Sequence, residues 1–81
     1  MTDIDPKAID AAVKAMNSIS GMSPNARTYR IYRVEHNSGS SHLLEEFDDR
    51  PAQDRALVRI KARVAIEAYL EFEREKEETS L

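Results

Sequence analysis

The sequence predicts a small α+β domain in the order α–β–β–α, a β-hairpin packed against a long C-terminal helix. Three observations carry the prediction. A stretch of some thirty residues, beginning RPAQDRALVRIKARVAIEAYL at Arg50, has Pro51 at its start and no helix breaker after it. An earlier segment, from Pro6, repeats its apolar residues at helical spacing. Between them, RTYRIYRVEH concentrates β-formers ahead of a loop rich in turn residues. The 81 residues form a single domain, divided into a helix and linker (1–22), a hairpin (27–48) and the long helix (50–78).

The first helix has Asp5 as a cap and Pro6 at its first position, where a missing N–H costs nothing. Ile9, Val13 and Met16 form its apolar stripe, widened by Ala12 and Ile19, and Gly21 is the expected stop. Met22 to Asn25 then read as a connection. In the middle, alternation places Tyr29, Ile31 and Arg33 on one face of a strand and Arg30, Tyr32 and Val34 on the other. The loop Asn37-Ser38-Gly39-Ser40-Ser41 leads into a second strand with Leu43, Glu45 and Phe47 on one side. An all-α helical bundle is the alternative, with Ser23-Pro24 starting a middle helix and Gly39 ending it. In the long helix, capped by Asp48 or Asp49, the expected core positions are Leu57, Ile60, Val64, Ala68 and Leu70. A second stripe, Val58, Ala62, Ala65, Tyr69 and Phe72, exceeds the usual apolar arc of a surface helix. Either the first helix covers it or another chain does, including a second copy in a homodimer.

Composition narrows the function classes. No cysteine is present, so neither disulfides nor thiolate metal sites supplement a small core. No apolar run approaches the length of a membrane span or a signal peptide, so a cytoplasmic location is expected. Net charge is −3, with bases in excess over residues 27–63 and six acids against two bases over residues 64–81. His36 and His42 flank a serine-rich loop, but a loop tip lacks the rigid scaffold, oxyanion hole and pocket of a catalytic triad. With only two glycines there is no phosphate-binding loop. The sequence therefore predicts no enzyme, no metal site and no cofactor.

What remains is binding. Glu45, Glu46, Asp48 and Asp49, with Glu67 and Glu71 along the acidic end of the helix, are candidates for contact with a basic surface of a larger protein or ribonucleoprotein. Tyr69 and Phe72 are the candidate anchors. The alternative is nucleic-acid binding or regulation through Arg27, Arg30 and Arg33 interleaved with Tyr29 and Tyr32, as guanidinium forks beside stacking faces. Nearby carboxylates argue for internal ion pairing of these arginines instead. A virion assembly component built as a dimer through the long helix is a third reading.

The run VRIKARVAIEAYLEF, together with AIDAAVKAM near the start, resembles small proteins encoded in bacteriophage genomes. The resemblance implies a phage accessory protein, a class that includes anti-CRISPR inhibitors of host defence. Such proteins bind an effector complex and block its nucleic-acid site or a recruitment step, in the cytoplasm of the host. No shared functional motif aligns, so the resemblance assigns no site residues.

Overall fold

The structure, a computed structural model, describes residues 4–25, 27–35 and 37–79. It contains α1 (Pro6–Asn17), β1 (Ile19–Asn25), β2 (Thr28–Glu35), β3 (Ser40–Phe47) and α2 (Arg50–Thr79). The three strands form one antiparallel sheet in the order β1-β2-β3. The fold is thus α+β, with the β2–β3 hairpin and the long helix both present, but the sheet has a strand more than the sequence predicts. Ile19 to Gly21, expected as the end of the first helix, and Met22, expected as the start of a connection, instead pair with β2 from Ile19↔Arg33 to Met22↔Arg30.

That strand is specified by its neighbours rather than by its own residues. Ser20, Gly21 and Ser23 have little strand preference, and the decisive feature is the missing side chain at Gly21. A Cβ there would lie 3.3 Å from Leu57 and 3.4 Å from the Gln53 amide. Gly21 therefore serves close approach of β1 to α2 and is not a helix stop. The stop comes earlier, at Ser18, whose hydroxyl donates to the Ala15 carbonyl at 2.6 Å. The other glycine, Gly39, adopts φ 71° in the β2–β3 turn, a conformation that favours glycine.

Each helix begins on an aspartate. Asp5 accepts from the Lys7 N–H at 2.9 Å, and Asp49 accepts from the Ala52 N–H at 2.8 Å. The first half of α2 lies on the sheet, and its second half runs antiparallel to α1. The core joins both contacts: Ile19, Ile31, Ala56 and Val64 are buried, with Ala15, Phe47, Leu57 and Ile60 packed against them. Ala8 is buried separately, where α1 meets the far part of α2. Small alanines on α1 let the two helices approach closely, and this leaves the larger Ile9 and Val13 outside.

Two expected core residues are not in the core. Leu43 is 52 % exposed because the β2–β3 register shifts between Ile31 and Tyr32. Glu45 pairs with Ile31 and Leu43 with Tyr32, so Leu44 is the extra residue of a bulge. One inserted residue moves Leu43 to the outer face of the sheet, away from Phe47. Leu70 is 60 % exposed because α1 packs against a different side of α2.

A single buried polar side chain fastens α2 to the sheet. The Gln53 amide donates to the carbonyls of Met22 at 3.1 Å and Arg30 at 3.0 Å, bridging β1 and β2. Replacing Gln53 by Leu is expected to cost about 1–3 kcal/mol, read as a lower urea midpoint with an unchanged slope. Gln53→Glu should cost more at neutral pH, because a carboxylate would face two carbonyl oxygens with no proton to donate.

A second tie joins the two helices. Asp5 accepts from the Lys76 ammonium at 3.0 Å, and this bond, with the cap bond from Lys7, holds the Asp5 carboxyl below its ordinary value. The carboxylate thus contributes stability that is complete above the ordinary aspartate range and is lost as pH falls through the lowered value. Asp5→Asn keeps a capping oxygen but loses the charge. Its stability should fall less steeply with acid than the wild type's below about pH 4, measured by urea unfolding across a pH series.

Candidate protein-interaction site

The predicted acidic contacts do not form one patch. Glu45 and Glu46 stand on opposite faces of β3, as their partners Ile31 and Arg30 require. Glu46 accepts from Arg30 Nε at 3.1 Å, and Glu45 accepts from Arg59 on α2 at 3.3 Å. Asp49 is engaged as the cap of α2, beside an exposed Asp48. Further along, Glu67 accepts from Arg63 at 3.1 Å, and Glu71 lies 3.7 Å from Arg74. All these ion pairs are exposed, where each contributes about 0–1 kcal/mol. Their effect is to cancel charge locally, so no broad acidic surface remains at these positions. Of the two expected anchors, Phe72 is half-buried on the side of α2 that α1 covers, one turn before Lys76. Tyr69 is half-buried at the margin of that contact.

The arginine–tyrosine set is likewise divided. Arg30 and Tyr32 share the outer face of the sheet, and Arg30 Nη1 reaches the Tyr32 hydroxyl at 3.5 Å. That bond, followed by the charge of Glu46, raises the Arg30 pKa above its already high ordinary value. Tyr29 and Arg33 point the other way. Tyr29 is opposite Phe47, and Arg33 lines a shallow recess with Leu44, Ile60 and Arg63. Arg27 sits in the β1–β2 turn, with its N–H on the Asn25 side chain at 2.9 Å. Stacking and phosphate contact would need rings and guanidinium groups on one surface, and only Arg30 and Tyr32 are so placed.

The serine–histidine loop has the wrong connectivity for nucleophile activation. Ser38 donates to one Glu35 oxygen at 3.3 Å, and His42 Nε2 lies 3.6 Å from the other. The acid thus stands between serine and histidine, whereas a triad needs histidine between serine and acid. His36 falls outside the described residues. Among the described residues no cluster of histidine and carboxylate ligands could hold a metal ion, and no helix is long and apolar enough to cross a membrane.

The surface that sequence reasoning undervalued is apolar. Val58, Ile66 and Leu70 on α2 are 70 %, 59 % and 60 % exposed. Val58, Ala62, Ile66 and Leu70 succeed one another four residues apart, so they form one ridge on the side of α2 away from the sheet. On α1, Ala11, Lys14 and Ser18 face the β2 end of the sheet, where they share a recess with Val34 and Glu35. Ile9 and Val13 are exposed on α1 as well, about half a helical turn from Ala11. The signal for this face was present in the sequence as a third apolar line on a helix that needs two. Comparison of the chain with protein-family models, curated proteins and solved structures returned no match in any of the three.

Proposed function

We propose that the protein is a non-enzymatic protein-binding module whose binding surface is the outer face of its helical pair. The observation that carries this reading is an excess of surface over mass. The accessible surface is 6369 Å², against about 4,900 Å² for a compact monomer of 9.2 kDa. The chain is also extended, with a radius of gyration of 15.3 Å where about 12 Å is usual for its length. Part of the excess is the apolar ridge on α2. Burying a Leu or Ile side chain is worth about 1.5–3 kcal/mol, and this fold leaves that gain to an association.

The carboxylates play a secondary part. Paired with arginines, they suit the rim of an interface, where they would set encounter rate and salt dependence more than affinity. The resemblance of the two helices to small bacteriophage accessory proteins supports the narrowest form of the proposal. In that form the module inhibits a host-defence effector of the CRISPR kind, in the host cytoplasm, by covering a nucleic-acid site or a recruitment surface.

The test compares the tagged wild type with an Ile66→Glu/Leu70→Glu variant in pull-downs from bacterial lysate. Exposed positions predict a change in folding stability within about 1 kcal/mol for the pair, checked by thermal melting. At least a tenfold loss of captured protein is expected. Equal capture by both forms overturns the assignment of this face. Reversing the charges of Glu45, Glu46, Asp48 and Asp49 together should slow capture at low salt without abolishing it. Complete loss in that variant would move the site to the acidic residues.

A further inference from the structure

The exposed face of α2 carries charge as well as apolar surface, and the two are ordered along the helix. Arg55 and Arg59 come first, Ala62, Ile66 and Leu70 follow, and the half-buried Glu73 and the exposed Glu77 come last. At 3.6 residues per turn these seven positions fall within an arc of about 80°. The pattern inverts about Ile66. Ala62 and Leu70 are four residues from it, Arg59 and Glu73 seven, and Arg55 and Glu77 eleven.

We propose that this face binds a second copy of the chain, with the two α2 helices antiparallel and the two-fold axis passing beside Ile66. The proposal rests on the outer helical face being an interface and names its occupant. A two-fold axis is self-complementary, so residues equally far before and after Ile66 meet across it. Arg59 then faces the partner's Glu73, Arg55 faces the partner's Glu77, and Ala62 packs against the partner's Leu70. The small-against-large pairing of Ala62 and Leu70 lets the axes approach on both sides of Ile66. In a parallel arrangement arginine would face arginine and glutamate would face glutamate, which is repulsive. The charge order therefore selects one orientation.

The excess of surface, about 1,400 Å² over the whole molecule by the mass scaling, leaves room for the about 800 Å² that a standard-size interface takes from each partner. Arg59 also reaches Glu45 of its own chain at 3.3 Å, an exposed pair of the kind that contributes about 0–1 kcal/mol, so the partner's Glu73 has to compete with Glu45 for this guanidinium.

Three measurements test the proposal together. Sedimentation equilibrium at about 10–100 µM, well above the dissociation constants of standard-size interfaces, should give twice the chain mass for the wild type. Arg59→Glu and Glu73→Arg should each weaken association at least tenfold, and the double variant Arg59→Glu/Glu73→Arg should recover most of the loss. Recovery is the decisive readout, because a role of either residue confined to its own chain would not produce it. Third, the chain has no cysteine, so Ile66→Cys introduces a single thiol beside the axis and should oxidise rapidly to a disulfide dimer. Val58→Cys, which faces position 74 in this register, should not. A monomeric wild type, failure of the double variant to recover, or equal cross-linking at 58 and 66 overturns the proposal. If the wild type is monomeric while lysate capture still depends on Ile66 and Leu70, the binding-module reading stands and self-association falls.

Discussion

The fold depends on one helix making two different contacts along its length. The first turns of α2 are fixed to the sheet by the Gln53 amide, by the open backbone at Gly21 and by packing around Ile31. The later turns have no sheet beneath them and are held by α1, through alanines and the Asp5–Lys76 pair. Neither contact is large. The buried apolar set among the described residues is Ala8, Ile19, Ile31, Ala56 and Val64. A helix of 30 residues is about 45 Å long, and the rest of the chain covers it only on two sides. The molecule measures 51 × 31 × 15 Å, and Val58, Ile66 and Leu70 on the helical face opposite the sheet are exposed.

This geometry explains why binding residues are better sought among apolar side chains than among charged ones. Nearly every predicted charged contact has an internal role. Asp49 caps α2, Glu45 meets Arg59, Glu46 meets Arg30 and Glu67 meets Arg63. Such pairs contribute little stability in water, and pairing reduces, without removing, the field that each carboxylate casts toward a charged partner. The apolar ridge has no such internal partner, and water is a poor one.

Both helices, their capping aspartates and the β2–β3 hairpin were legible in the sequence, because each is encoded by local chemistry. Pro6 and Pro51 mark starts, Thr28 to Val34 prefer extended backbone, and Gly39 supplies the turn. β1 was not legible. Its residues favour turns, and it is a strand because β2 offers hydrogen bonds on one edge and α2, through Leu57 and Gln53, needs a residue without a side chain at position 21. Leu43 was misplaced for a related reason. Strict alternation puts it beside Phe47, and a bulge at Leu44 cannot be read from alternation. On α2 the sequence showed more apolar surface than one layer needs. It could not show that α1 would cover the side bearing Ala68 and Phe72 and leave Ile66 and Leu70 bare, since that choice is made by packing between distant segments.

The pairing of Asp5 with Lys76, 71 positions apart, sets an order of events in the cell. During synthesis α1 emerges first, but the turns of α2 against which it packs emerge last. At about 5–20 residues per second, α1 waits for several seconds with its alanine face, Ile9 and Val13 exposed together. The sheet and the first half of α2 can assemble in that interval, since their contacts close shorter loops. Ala15 can meet Ile19 and Ile31 early, but the start of α1 completes its docking only once the last turns of α2 exist.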